Sequence, residues 1–526
     1  MTVRKTLAAR AAPPAAARLA AIDIGSNSIH MIVVEREPGG GYRVLDRERE
    51  MVRLGKGALG SSGPAELSER AMRDGLVALT KMSTLARLKG AQRTVAVATS
   101  AVREAKNGEE FLARVRAQTG LEARRLSGAE EGRLIYLAVR EAVDLGSGTS
   151  VIVDVGGGST EWITARNRRF GRVVSVPLGS LRCAAWLESD PPRRKDIDAM
   201  RRRVRKAIAR IQPPKKIERL VATSGTAVCC ADIIDLLAGA DWKASTGVLR
   251  ELRTRDLAEL CAHLARLKRK QIAALPPVGG PRSESILAGA ILLHEWIRHA
   301  GVDRFQVSDR ALREGVVLDA LGAPQANAVA PADVRQRQIR KLAERGESVV
   351  GHGEETARLA ARLFDLTQSL HGMGPREREW LGHAALLHDI GYLVDYEGHH
   401  KHGFYLITNA ALDAFDQREI EIIAHLVRYH RGAVPKRKHP AFAALKPWQQ
   451  RTVTRLSALL RIADALDRSH ARRVDEIYCA VRARSVRLEV LSRYDVSLEL
   501  ATARDRAEPF EEAFGVRLKV RQGLEK

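Results

Sequence analysis

Acidic residues, aromatics, cysteines and long apolar runs are all scarce in this chain, and each scarcity removes a class of protein. Asp and Glu number 63 against 87 Lys and Arg, a formal net charge of +24 with His neutral. So basic a balance points to a polyanionic partner: polyphosphate, nucleic acid or an anionic membrane. Aromatic residues make up only 4%, which disfavours base stacking on single-stranded nucleic acid. The five cysteines (Cys183, Cys229, Cys230, Cys261, Cys479) show no ligand spacing; they suit buried thiols in a reducing compartment. No apolar run approaches the ~20 residues of a membrane span. Residues 1–18 are rich in Ala, Arg and Pro and lack a signal peptide's apolar core, so they read as a disordered tail on a cytoplasmic protein.

What the chain does have is one motif twice. Ile22-Asp23-Ile24-Gly25-Ser26-Asn27-Ser28 returns as Val153-Asp154-Val155-Gly156-Gly157-Gly158-Ser159, with the two aspartates 131 residues apart. Each copy follows a short apolar run and precedes another, so each reads as a tight turn between two strands. Glycine lets such a turn bend sharply and approach a ligand. Successive amides form a concavity for anions. The Ser hydroxyl donates to a phosphate oxygen, and the Asp holds a divalent cation directly or through water. Two copies facing each other across a cleft would grip a phosphate chain from both sides. A third strand-to-glycine turn, Ser224-Gly225-Thr226, ends Leu220–Thr223.

At 526 residues the chain exceeds one core. Alternating strand and helix patterns predict two α/β domains, 19–140 and 141–322, with a cleft between them. Ala323–Ala332, with Pro324 and Pro331, reads as a linker. Helices are expected over about 333–343, 352–370, 376–389, 417–430 and 447–469, making an all-α domain of 333–475. Alternation such as Val486-Arg487-Leu488-Glu489-Val490 makes 476–526 a small strand-rich piece.

Five segments closely resemble the Ppx/GppA family: AIDIGSNSIHMIVV (21–34), ATSAVREAKN (98–107), SGAEEGRL (127–134), VIVDVGGGSTEW (151–162) and SDRALREGV (308–316). That family comprises exopolyphosphatases and guanosine pentaphosphate phosphohydrolases. The resemblance implies a duplicated actin-like fold, of the ribonuclease H-like sugar kinase/Hsp70/actin (ASKHA) superfamily, for residues 19–322. It puts the water-activating glutamate at Glu131, the accessory carboxylate at Glu161 and the Mg²⁺- or Mn²⁺-associated aspartate at Asp154. Phosphate contacts fall on Ser26, Asn27, Ser28, Arg103, Gly157, Gly158, Ser159 and Arg313. Glu130, beside Glu131, reads instead as a helix-start carboxylate favoured by the helix dipole. Gly132 stands where the family usually has Ala, and Arg310 where a small residue is common.

The helical region carries His352, then His388-Asp389, then Asp464. The order H…HD…D resembles the HD metal-dependent phosphohydrolase superfamily. Two imidazoles and two carboxylates suit a divalent ion such as Mn, Fe, Co or Ni, so a second metal is expected here. Further histidines lie close in sequence: His399, His400, His402, His425 and His430. Basic runs at Arg201–Lys206, Arg335–Arg345 and Arg428–Lys438 fit either a channel for long polyphosphate or solvated helix faces.

The reading that follows is an exopolyphosphatase, with guanosine pentaphosphate (pppGpp) 5′-hydrolysis at the same cleft as the alternative. A kinase-like nucleotide binder using the Ser224 turn is countered by Glu131, which activates water. A non-enzymatic polyanion binder is countered by the intact carboxylates. The family resemblance also suggests a homodimer.

Overall fold

The computed structural model describes residues 17–37, 41–56, 58, 66–240, 249–322, 333–346 and 350–523. The 323–332 linker and residues 1–16 of the expected tail lie outside them, while Arg18 already opens the first strand. The chain divides into two compact units, Met1–Ala332 and Asp333–Lys526. Among the described residues no helix is long and apolar enough to cross a membrane.

Unit 1 contains two sheets with the same wiring. In the first, β1 (Arg18–Ile24), β2 (Ile29–Arg36) and β3 (Tyr42–Glu50) form an antiparallel meander, and β4 (Arg93–Ala98) and β5 (Ala123–Arg125) add parallel to β1, giving the order β3-β2-β1-β4-β5. In the second, β6 (Thr149–Val155), β7 (Thr160–Arg166) and β8 (Arg169–Val176) repeat the meander. There β9 (Arg219–Thr223) lies parallel to β6, and β11 (Arg304–Val307) parallel to β9, with β10 (Arg250–Arg253) antiparallel at the edge. This is a duplicated α/β arrangement, as the family resemblance implies.

Both first strands are apolar on both faces because both faces are covered. Ala20, Ile22 and Ile24 point into one core, while Leu19 and Ala21 point into another. That second core also takes Ile152, Ile163 and Val221 from the other sheet, with Leu134, Leu137, Leu312 and Val316. The helices Gly128–Ala142 and Leu312–Ala320 therefore form a shared layer between the sheets. They cross closely because Gly315 has no side chain: a Cβ there would lie 1.9 Å from Leu134 O.

Unit 2 is mainly helical. The expected helices are Val334–Ala343, Val350–Leu366, Pro375–Leu387, Gln417–Tyr429 and Pro447–Ala465, joined by His399–Thr408. Its end piece is less purely strand than its alternation suggested. Helices Ser497–Asp505 and Glu508–Phe514 separate β13 (Ser485–Leu491) from β14 (Arg517–Gln522), while β12 (Glu476–Arg482) pairs antiparallel with β13. β13 and β14 are parallel, which requires a crossover, and the two helices provide it. They lie against helix Pro447–Ala465.

Candidate functional site

The two glycine turns build one site. Gly25 N–H donates to Ser28 O (3.1 Å) and Gly156 N–H to Ser159 O (3.0 Å). A Cβ on Gly25 would sit 2.8 Å from Ser28 O, so the turn excludes any other residue at that bend. A Cβ on Gly157 would come 3.0 Å from Ser26 Cβ and 3.5 Å from Asn27 N; the two turns face each other at contact distance. Ser180 N–H and Leu181 N–H hold the carbonyls of Gly156 and Gly157, each at 2.9 Å. Gly55 N–H and Arg53 N–H hold those of Ser26 (2.8 Å) and Asn27 (2.9 Å). Among the described residues no backbone acceptor takes the amides of Ser26, Asn27, Gly157 or Gly158. Converging amides without acceptors attract an anion. The Asn27 side-chain oxygen is also buried without a partner.

Three buried carboxylates, Glu131, Asp154 and Glu161, and the half-buried Asp23 lie at the ends of these elements. Strand register sets Asp154 opposite Glu161, and the equivalent pair in the first copy is Asp23 opposite His30. Glu131 comes from the first turn of helix Gly128–Ala142. Its neighbour Glu130 is used by the capping box: Ser127 N–H donates to Glu130 Oε2 (3.1 Å), and Glu130 N–H to Ser127 Oγ (3.2 Å). Glu131 is thereby the residue turned inward. A Cβ at Gly132 beside it would meet Val173 Cγ1 at 2.5 Å, so a larger residue here needs the Val173 side chain to shift.

Burial dominates the electrostatics. It raises Asp23 to about 7 and Asp154 to about 8, with the Glu131 charge adding to both. Burial, then Glu131 and Asp154, push Glu161 well above the usual carboxylate range, although Ser175 Oγ donates to Glu161 Oε1 at 2.8 Å. Burial also raises Glu131, against the opposing charge of Arg103. Arg103 Nη1 donates to Glu131 Oε2 (2.7 Å) and to Leu126 O (2.9 Å). One guanidinium does not offset the desolvation of a carboxylate surrounded by other acids.

Such a site holds protons or a divalent cation. Asp23 Oδ1 is buried without a partner, which fits a cation. No three acids of unit 1 bring ligand atoms within 4.8 Å of one another among the described residues. An all-carboxylate donor set is of the kind that a hard divalent cation takes. The raised pKa values also have a stability signature. Above about pH 4 the unfolded chain releases protons that native Asp23 and Asp154 retain, so their contribution to stability falls as pH rises to about 8. A cation needs these groups ionised. The rise in Tm on replacing EDTA with Mg²⁺ is expected to grow between about pH 6 and about pH 8.5, and to shrink in Asp154→Asn. A wild-type difference that is flat with pH would contradict it.

A cationic cluster adjoins the first turn. Arg313 Nη1 lies 3.0 Å from His30 Nδ1, and Ser28 Oγ 2.7 Å from His30 Nε2. Burial, then Arg313, Arg49 and Arg282, hold His30 well below its ordinary value. Burial, then Arg282 and Arg313, lower Arg49 to about 10. Arg313 Nε donates to Glu314 Oε1 at 2.7 Å. Arg282 stands over Gly225, where a Cβ would lie 2.8 Å from Arg282 Nη2. The Ser224 turn, at φ 90° with Ser224 Oγ donating to Val155 O (2.8 Å), thus presents a guanidinium and not an open glycine face.

In unit 2 the four residues of the H…HD…D order converge. His352 Nε2 is 3.2 Å from Asp464 Oδ1, His388 Nε2 3.6 Å from the same oxygen, and His388 Nε2 3.4 Å from Asp389 Oδ2. All four residues are buried. Asp467 Oδ2 lies 2.7 Å from His352 Nδ1 and orients the ring. Burial works against charging His352, but Asp464 and Asp467 raise it to about 9. His388 Nε2 is buried with no hydrogen bond, and together these donors fit a transition-metal cation. Of the extra histidines, His425 is a core residue that touches Phe404 and bonds Glu421 O at 2.8 Å.

Sequence reasoning gave Asp23 only the repeat's general cation-holding role, and passed over His30, Arg49, Arg282 and Asp467. The repeat itself carried the signal for Asp23, since it is the counterpart of Asp154. The arginines come from segments remote in sequence and had no local signature. Several residues of the basic runs are tied to acids: Arg201 and Arg205 bond Glu295 (2.5 and 2.7 Å), and Arg335 forks onto Glu379 and Glu419 (2.8 and 2.9 Å).

Comparison with known proteins fits this geometry. A model described as the Ppx/GppA phosphatase family matches residues 12–323, and one described as Ppx/GppA phosphatase, domain III, matches residues 334–502. Exopolyphosphatase 1 of Mycobacterium tuberculosis is 32% identical over 308 residues, covering 57% of this chain and 87% of that protein. A solved Ppx/GppA family member from Aquifex aeolicus is 26% identical with a TM-score of 0.50, covering 58% of this chain and 97% of that one. A Cytophaga hutchinsonii exopolyphosphatase structure, at 24% identity and a TM-score of 0.53, covers 59% of this chain and all of that one and shares the fold.

Proposed function

The chain belongs to the Ppx/GppA phosphatase family and is a phosphoanhydride hydrolase; from that premise we propose that unit 1 is an exopolyphosphatase. It removes the terminal phosphate of inorganic polyphosphate as orthophosphate. The observation that carries this reading is the pair of glycine turns in contact, with acceptor-free amides, on the same strand ends as a group of acids.

The amides of Ser26, Asn27, Gly157 and Gly158, with the hydroxyls of Ser28 and Ser159, cradle the terminal phosphoryl oxygens. Arg313, with Arg49 and Arg282, faces the following phosphates. Glu131 takes the proton of a water whose oxygen attacks the terminal phosphorus, while the bridging oxygen leaves with the shortened chain. Arg103 positions Glu131, and Glu161 is the accessory carboxylate. Asp154 with Asp23 would hold Mg²⁺ or Mn²⁺, which when bound would supply neutralisation of the phosphate's charge. Arg103 also lowers the Glu131 pKa, so Arg103→Ala is expected to shift the acid limb of the pH–rate profile to higher pH. An unmoved limb would remove Arg103 from this role.

The deciding assay is orthophosphate release with Mg²⁺ from long-chain polyphosphate and from pppGpp in parallel. Faster turnover of polyphosphate supports the proposal; a preference for pppGpp replaces it with the 5′-hydrolase reading at the same residues. The polyphosphate KM should climb with salt, because the cleft meets a polyanion.

For unit 2, the reading is an HD-like helical domain that binds one divalent transition-metal ion through His352, His388, Asp389 and Asp464. Its support is the convergence of these four buried side chains.

A further inference from the structure

In unit 1, one arginine on each side of the cleft binds a carbonyl of its own phosphate turn and also reaches an acid on the other side. Arg182 belongs to the short helix Ser180–Ala184, which follows β8 in the half built on β6–β11. Its Nε donates to Gly158 O (3.3 Å) and its Nη2 to Glu104 Oε2 (2.5 Å). Glu104 ends the short helix Ser100–Glu104 in the half built on β1–β5. That helix is itself tied to the first turn, since Ala101 N–H donates to Ser26 Oγ at 3.1 Å. Ser100 Oγ holds the other oxygen of Glu104 at 2.7 Å.

Arg53 crosses in the opposite direction. Its N–H donates to Asn27 O (2.9 Å), while its guanidinium reaches Glu284 Oε1 (3.1 Å) and Pro281 O (2.5 Å). Lys56 Nζ adds a contact to Glu284 Oε2 at 3.4 Å. Glu284 stands just after the single turn Gly280–Arg282, which carries Arg282 of the cationic cluster. Arg53 has φ 58°, a left-handed conformation that costs a residue with a side chain and persists only where its surroundings hold it. Here the backbone bond on one side and the guanidinium bonds on the other do so.

These pairs differ from ordinary surface ion pairs. The side chains of Arg182 and Arg53 are only 12% and 21% exposed, and each guanidinium also binds a carbonyl, which fixes its direction. The acids are informative as well. A carboxylate beside a cleft for a polyanion weakens attraction, yet Glu104 adjoins Arg103 and Glu284 lies two residues from Arg282. The apolar layer of helices Gly128–Ala142 and Leu312–Ala320 joins the two sheets, but apolar packing is non-directional. A phosphate held by both turns needs both sets of amides aimed at one point. The two bridges supply that direction, one anchored on each turn.

We infer that Arg53 and Arg182, through Glu284 and Glu104, are positioning residues for the hydrolysis: they register the two phosphate turns against each other across the cleft. They act through the turns and not on the phosphate. The inference rests on the phosphate cleft proposed above. Swinging one half away from the other breaks both bridges and removes an anchor from each turn.

The test reads geometry and kinetics on the full chain. Spin labels are placed at Arg70→Cys and Arg194→Cys, exposed positions on helices Glu69–Leu88 and Arg194–Ile208 of the two halves. Cys479→Ser removes the one native cysteine that is not buried. The distance between labels is measured by double electron–electron resonance without substrate, and kcat and KM on long-chain polyphosphate with Mg²⁺ in the unlabelled chain. Glu104→Gln/Glu284→Gln is expected to broaden the distance distribution toward longer values. It should lower kcat by about 10²-fold, the order that a misplacement of about 1 Å costs, and leave KM equal or lower, because two repelling charges are gone. An unchanged distance overturns the inference, and so does a lower KM at wild-type kcat, which would make the acids mere repellers. Arg182→Lys keeps the charge but reaches only one of the two partners; it carries the same expectations and decides if the double variant fails to fold. A wild-type chain that releases no orthophosphate from polyphosphate overturns the exopolyphosphatase reading, and the substrate-free distance still decides the bridges.

Discussion

Replacing Glu131 with Gln is expected to lower kcat on polyphosphate by about 10²–10⁴-fold, the ordinary worth of a positioned general base, while polyphosphate binding stays near wild type. The argument is geometric. Glu131 is buried at the first turn of its helix and paired with Arg103 at 2.7 Å, and Glu130 is held by the cap. Glutamine keeps the size and loses the proton acceptor. It also removes one of four crowded negative charges, so Asp154 and Asp23 lose the Glu131 contribution that raises them. Mg²⁺ dependence should therefore extend to slightly lower pH in the variant. Single-turnover release and equilibrium binding on the same preparation separate the two effects. Turnover within a few fold of wild type would show that another group accepts the proton. Activity that persists in Glu131→Gln and disappears in His388→Ala would move the chemistry to unit 2.

Gly179→Ala is expected to lower kcat/KM on polyphosphate by about 10²–10³-fold, the cost of displacing an oriented donor at the reacting phosphate. A Cβ at this position would fall 2.3 Å from Gly157 C and O and 2.4 Å from Gly158 N. All three are backbone atoms, so the phosphate turn itself must move. The backbone of Gly179, at φ −134° and ψ 169°, accommodates alanine, which makes the effect one of collision and not of strain. Overpacking of this kind also costs about 1–3 kcal/mol, to be read from the denaturation midpoint. Gly280→Ala is the control, because nothing lies within 4 Å of its Cβ. Equal kinetics for Gly179→Ala and Gly280→Ala would show that the second turn does not grip substrate.

Much of unit 1 is legible in its sequence because its information is local. Seven residues suffice to write a strand, a glycine bend and a second strand, and doing so twice announces a duplicated fold. The distinction between Glu130 and Glu131 is local too, since a serine three residues before a glutamate at a helix start calls for a capping box. The helices of unit 2 follow from apolar periodicity for the same reason. The end piece was read less completely, because helices Ser497–Asp505 and Glu508–Phe514 serve a parallel crossover that alternation in the flanking strands does not reveal.

By itself, then, the sequence determined the repeated turn, the family, the basic charge and the four residues of the helical metal motif. Each depends on backbone chemistry or residue type within a short window. Only the tertiary structure decided which charges meet. It brought Arg49, Arg282 and Arg313 around His30, turned Arg103 onto Glu131, and separated His399 and His430, which reach Asp389, from His425, which belongs to the core. The physical reason is that such meetings are set by how closely helices approach. That distance is governed by a few glycines (Gly315, Gly391 and Gly403) whose missing side chains matter only once their neighbours are in place.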